Sequence, residues 1–180
     1  MDRPIELVPL ICANCSTAIP AEPDEFAWVC AQCGQGWALE PDKGLSPLEI
    51  HYAAGIPAAA MGKPFWVADG QVSLRRQSYR SVSTQNQEAE AFWSRPRRFF
   101  IPAYQTTLEA LLNHAVGLLL NPPELTPGPS AHFEPITLPL EDVRSAAEFV
   151  VVAIEASRKD KLKTLDFSLQ ISPPVLWVLP

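Results

Sequence analysis

No stretch of this chain approaches the ~18 to 20 consecutive apolar residues that a membrane-spanning helix needs. Its longest apolar runs, residues 115–120 and 149–154, stop far short, so no membrane span is expected. The opening Met1-Asp2-Arg3-Pro4 has neither the basic region nor the apolar core of a secretory signal. The expected location is the cytoplasm, where thiols stay reduced. Also missing are a glycine-rich phosphate loop, an H-E-x-x-H pair and a G-x-S-x-G elbow. Histidine occurs only three times, as His51, His114 and His132, with no two at metal-ligand spacing. With no recognisable catalytic constellation, the sequence points to a protein that is not an enzyme.

Cysteine is scarce too, but its four copies are arranged. Cys12-Ala-Asn-Cys15 and Cys30-Ala-Gln-Cys33 form two C-x2-C pairs. In a reducing compartment, paired cysteines indicate metal before disulfides. A tetrahedral zinc takes four thiolates at about 2.3 Å, and each C-x2-C turn presents two of them. Four sulfurs close the coordination shell, so the expected cofactor is one structural Zn2+ per chain, although tetrahedral iron would take the same donors. Gly34 suits the turn after the second pair, whereas Ser16 stands at the equivalent place after the first. Residues 26–29 and 37–39 read as strands flanking the second turn. Over about residues 5–41 this pattern resembles the zinc-ribbon class.

Charge is uneven. Residues 1–44 carry seven acids and two bases, residues 45–104 four acids and seven bases, and the remainder nine acids and five bases, summing to a net −6. The acidic ribbon is therefore a poor match for a phosphate backbone. In the basic middle, Arg75, Arg76, Arg80, Arg95, Arg97 and Arg98 are interleaved with Tyr79, Phe92, Trp93 and Phe99. Guanidinium forks bind carboxylates and phosphates, and rings stack on bases. These arginines are candidates for contact with an anion or partner, or for pairing with acids of this chain or a neighbouring subunit.

Nineteen prolines, about twice the usual share of ~5%, imply short elements with stiff connections. The domain boundaries expected are 1–44 for the ribbon and 45–180 for an α+β body. Within the body, residues 46–53 read as a strand, residues 64–79 as a hairpin turning at Asp69-Gly70, and residues 80–87 as a polar loop. A short helix over 88–94 and a strand over 98–104 follow. Thr106 and Glu109 form a capping box opening a leucine-rich helix, and residues 131–138 read as a strand. A second helix spans about 140–158, with Glu141, Glu148 and Glu155 on a solvated stripe. Alternation over 164–171 and an apolar run over 175–179 supply closing strands. Phe100-Ile-Pro102 and Phe133-Glu-Pro135, each before a helix, suggest a weak internal repeat.

The ribbon, the Pro64-Phe-Trp66 strand, the Phe99-Phe-Ile-Pro-Ala-Tyr104 segment before a leucine-rich helix and the final Leu176-Trp-Val-Leu-Pro180 together resemble a group of uncharacterised bacterial zinc-ribbon proteins. The resemblance implies four zinc ligands and no particular reaction. The leading expectation is a non-catalytic scaffold or accessory protein of a cytosolic bacterial assembly, with a protein partner or a second copy of itself. The alternatives are nucleic-acid binding through the Arg75 to Arg98 cluster, which the acidic flanks disfavour, and an enzyme site in the body near His51 or His114.

Overall fold

The structure, a computed structural model, describes residues 8–79 and 83–180. Both sheets and helices are present, giving an α+β fold with the cysteines in an N-terminal strand region. Strands β1 (Ala27–Val29), β2 (Gly36–Glu40) and β3 (Gly44–Leu48) form one antiparallel sheet in the order β1-β2-β3. The second sheet contains β4 (Ile50–Tyr52), β5 (Lys63–Ser78), β6 (Arg97–Pro102), β7 (Leu162–Ile171) and β8 (Val175–Leu179). Its order is β4-β8-β5-β6, with β7 pairing the second half of β5. Helices α1 (Ser83–Trp93), α2 (Leu108–Leu120) and α3 (Val143–Ala156) accompany it. The strand expected over 46–53 divides at Glu49, its first part ending the small sheet and its second opening the large one.

The expected hairpin is one sixteen-residue strand, β5, and Asp69-Gly70 lies in its middle. The pattern change at that dipeptide has another cause. Phe65, Trp66, Val67 and Ala68 are all buried because both faces of the sheet are covered there. Beyond Gly70 one face opens to solvent, so burial alternates through Val72 and Arg76. Gly70 is required for packing: a Cβ would sit 2.6 Å from the Phe99 ring. Glycine inside a strand often marks such a close approach.

Four other expectations are corrected. The polar segment 80–87 contributes to α1 from Ser83 onward; residues 80–82, and with them Arg80, lie outside the described residues. The cap of α2 is Thr107, whose hydroxyl accepts the Ala110 amide at 3.2 Å, so Thr106 and Glu109 do not form the box. Residues 131–138 form no strand; they make single bridges, Phe133 to Gly62 and Ile136 to Ala27. The Phe133 limb of the suggested repeat therefore has no counterpart of β6. Finally, Glu155 is fully buried.

The main core unites Trp66, Phe99, Ile101 and Leu176 of the large sheet with Trp93 of α1, Ala115 and Leu119 of α2 and Val150, Val151 and Ile154 of α3. On the opposite sheet face Phe65, Val67, Phe100, Tyr104 and Leu179 cluster beneath Leu118 and Leu125. The ribbon packs directly on the main core through small residues: Ala27 and Ala38 are buried there with Ile136. The Phe26 amide donates to the Ile136 carbonyl at 2.8 Å, sealing the seam.

Candidate metal centre

The small sheet is led by two loops with matching backbones. In the first, the Ser16 amide donates to the Cys12 carbonyl at 2.8 Å and the Cys12 amide to the Thr17 carbonyl at 2.9 Å. In the second, the Gly34 amide donates to the Cys30 carbonyl at 2.8 Å and the Cys30 amide to the Gln35 carbonyl at 2.9 Å. Ser16 and Gly34 occupy the same left-handed position, at φ 60° and 74°. The seeming departure at Ser16 is thus a serine held where glycine is favoured, and it is the one non-glycine residue of positive φ among the described residues.

These loops bring the four thiols together. All four Sγ atoms lie within 4.8 Å of one another. Cys12 to Cys33 is 3.6 Å and Cys15 to Cys30 is 3.5 Å, each pair crossing between the loops. Tetrahedral ligation at 2.3 Å separates sulfurs by about 3.8 Å, so the cluster fits a single metal ion. Cys12 and Cys30 are buried, Cys15 is half-buried and Cys33 is exposed. Beneath them Ile19, Trp28 and Trp37 form a separate small core. Trp28 and Trp37 face each other in register across β1 and β2, and the Trp28 indole donates to Glu25 at 2.7 Å.

The local electrostatics suit a cation. Burial opposes ionisation of Cys12, but the Cys15 and Asn14 amides and the neighbouring thiols overcome it and lower its pKa to about 6. The Thr17 hydroxyl and amide, a contact the sequence reading missed, lower that of Cys15. At Cys30 the Cys33 amide favours the thiolate, yet burial together with the Cys15 and Cys33 thiols pushes the pKa up to about 11. Thiolates crowded this closely ionise together only around a positive charge.

The arginine candidates do not form one surface. Arg76 is 7% exposed: its Nε lies 3.0 Å from a Glu155 oxygen, off the line of a hydrogen bond, and its Nη2 donates to Asp160 at 2.8 Å. Glu155 also accepts from the Trp93 indole at 2.8 Å and from Arg158 at 2.9 Å, which ties α1, α3 and β5 together. The solvated stripe expected for Glu155 fails because its carboxylate finds two cations in the core. Arg97 donates twice to the Phe92 carbonyl and stacks 3.9 Å above the Phe92 ring. Arg98 grips Asp69 at 2.9 and 3.3 Å, and that pairing raises its pKa. Arg75 is exposed opposite Asp166, and Arg95 is exposed after α1.

His51 stacks on Trp177 at 4.9 Å and meets Glu49 at 3.4 Å. Nδ1 of His114 is 2.9 Å from the Tyr104 hydroxyl. His132 lines a cleft of about 540 Å3 with Cys30, Gly34, Tyr52 and Phe133, where the second cysteine loop meets the body. The chain has no helix long and apolar enough to cross a membrane among the described residues. No protein-family model, no curated protein and no solved structure matches the chain.

Proposed function

We propose that the chain is a non-catalytic zinc-ribbon scaffold, an accessory protein whose metal fixes a small sheet against an α+β body for binding another protein in the cytoplasm of a bacterium. The observation that carries the metal half of this reading is the closed set of four thiols within 4.8 Å, held by two matching loops. Zinc is preferred over iron because a redox-silent ion with a full shell is what a structural site of this kind uses. The binding half draws on the seam between ribbon and body, where the cleft beside Cys30 mixes the aromatic rings of Tyr52 and Phe133 with the imidazole of His132. Concave, partly aromatic surfaces of that kind suit a docked side chain or peptide.

The test is purification of the full chain from its native cytosol at low and high salt, with elemental analysis of the same sample. The expected result is one zinc per chain and a protein partner that survives nuclease and high salt. Absence of bound metal, or iron in its place, would end the zinc reading.

A second reading, nucleic-acid binding, has one specific observation behind it. The fold sets Lys161 beside Tyr79, whose amide donates to the Lys161 carbonyl at 3.0 Å and whose ring is 71% exposed. An exposed ring next to a lysine can serve as a stacking platform for an unpaired base. Salt-sensitive retention of single-stranded nucleic acid, weakened by Lys161→Glu, is its signature; retention indifferent to salt would remove it.

A further inference from the structure

Helix α3 carries two apolar seams. One, with Val143, Ala147, Val150 and Ile154, is buried in the main core. The other, Ser145, Phe149, Val152 and Ala156, faces solvent, with Phe149 54% and Val152 41% exposed. The spacing of that outer seam alternates four, three and four residues, the repeat by which one helix packs along another. An amphipathic helix that needed only its own core would be polar on this side.

The seam is also self-complementary. Ser145 and Ala156, Phe149 and Val152, and Asp142 and Lys159 are three pairs that share one midpoint, between Val150 and Val151. Asp142 stands at the N-terminus of α3, and Lys159 follows in the turn that closes it. Both are exposed, and neither forms an ion pair among the described residues, whereas Arg144 and Glu148 beside the seam pair with each other at 3.6 Å. A two-fold axis through the midpoint would lay α3 antiparallel on a second α3. Phe149 of each copy would then meet Val152 of the other, small Ser145 and Ala156 would let the helices approach, and each Asp142 would face a Lys159. An interface related by a two-fold axis has to satisfy this reciprocity.

We propose that the outer seam of α3 is the homodimer interface of this protein, with a second copy of the chain as its occupant. The charge pattern fits a copy, because the acid at one end and the base at the other, together with the small and large residues of the seam, all find complements at once when the helix meets itself reversed. This goes beyond the scaffold reading and stands apart from the metal centre.

The experiment is sedimentation of the full-length, metal-loaded protein over a range of concentrations, with zinc content and helical circular dichroism recorded on each sample. The expected result is a reversible monomer–dimer equilibrium that shifts to dimer as concentration rises. Phe149→Glu is expected to weaken the dimer about a hundredfold, with metal content and helicity unchanged. Asp142→Lys and Lys159→Asp are each expected to weaken it about tenfold, and the double exchange to restore it. A wild-type protein that stays monomeric at about 0.3 mM, a dimer that survives Phe149→Glu, or a double exchange that fails to restore association would each overturn the proposal. Because metal content is read on the same samples, failure here is distinguishable from failure of the zinc-ribbon reading.

Discussion

Among the described residues, five buried ones sit at the centre of the ribbon, two of them cysteines of the cluster, whereas nineteen fill the main core, seventeen of them from the body. Strands of three to five residues around Ile19, Trp28 and Trp37 bury too little to hold themselves together. The four clustered thiols are placed to supply, with a metal, what that core lacks. The body instead buries charges: Arg76, Glu155 and Asp160 lie in a region whose apolar packing is sufficient to enclose them. A small region thus offers four ligands through which an ion could complete its core, while a large one encloses its own charges, which link α1, α3 and β5.

Removing the metal should separate the two regions most sharply. Structural zinc contributes on the order of 10 kcal/mol to the fold it holds. Chelation, or Cys12→Ser, is therefore expected to unfold the ribbon and release the Trp28 and Trp37 signals from their buried environment. The helical circular dichroism of the body and its cooperative thermal transition should persist. Loss of both transitions together would show that the body depends on the ribbon through the Ala27, Ala38 and Ile136 contact and would merge the two regions into one.

The inverse experiment targets the body. Glu155→Gln keeps the shape of the side chain but leaves Arg76 and Arg158 without the carboxylate they share. Breaking a buried ion pair on one side costs about 3 kcal/mol. The body transition should fall by that amount while zinc content and ribbon fluorescence stay unchanged. A variant as stable as the parent would mean that the network contributes register and not stability, a difference that hydrogen exchange in α1 would then reveal.

These two regions were not equally legible in the sequence. The four clustered cysteines are local in sequence, the two residues of each pair on one turn, so spacing alone carried them. The buried network joins Arg76, Glu155 and Asp160 across about 80 positions of chain, and nothing in the periodicity of α3 separates a glutamate that will be buried from its exposed neighbours. Gly70 misled in a related way: the strength of an Asp-Gly turn signal is local, while the cause of that glycine is the Phe99 ring from another strand. Helix α3 and strand β7 were readable because each buries one face, and β6 and β8 because coverage of both faces leaves a short continuous apolar run. Residues 131–138 were misread as a strand because their apolar positions answer to two different partners, Gly62 and Ala27.

Acid provides a finer distinction within the body. Hydrogen bonding to Arg76 lowers the pKa of Asp160. A carboxylate whose folded pKa lies below its unfolded value of about 4 contributes stability that is fully present above that pH and is lost as pH falls through the folded value. Asp160→Asn should therefore lower the body transition near neutrality and flatten its dependence on pH below about 4. An unchanged slope would place the acid sensitivity in other carboxylates.

The smallest effect expected lies within the ribbon, between its two matching loops. Ser16 and Gly34 hold the same left-handed conformation, and nothing lies within 4 Å of a Cβ added at Gly34, so the difference a serine or a glycine makes at this position is backbone strain. A non-glycine residue in that region costs about 1 kcal/mol or slightly more, of which glycine's larger unfolded-state entropy takes back part. Ser16→Gly is therefore expected to stabilise the metal-bound ribbon by about 0.5 kcal/mol, and Gly34→Ser to destabilise it by a similar amount. Competition with a zinc chelator, followed by tryptophan fluorescence, measures both. If Ser16→Gly weakened the ribbon instead, the Ser16 side chain would have to hold the first loop in a way the second does not need, and the two loops would be alike in backbone only.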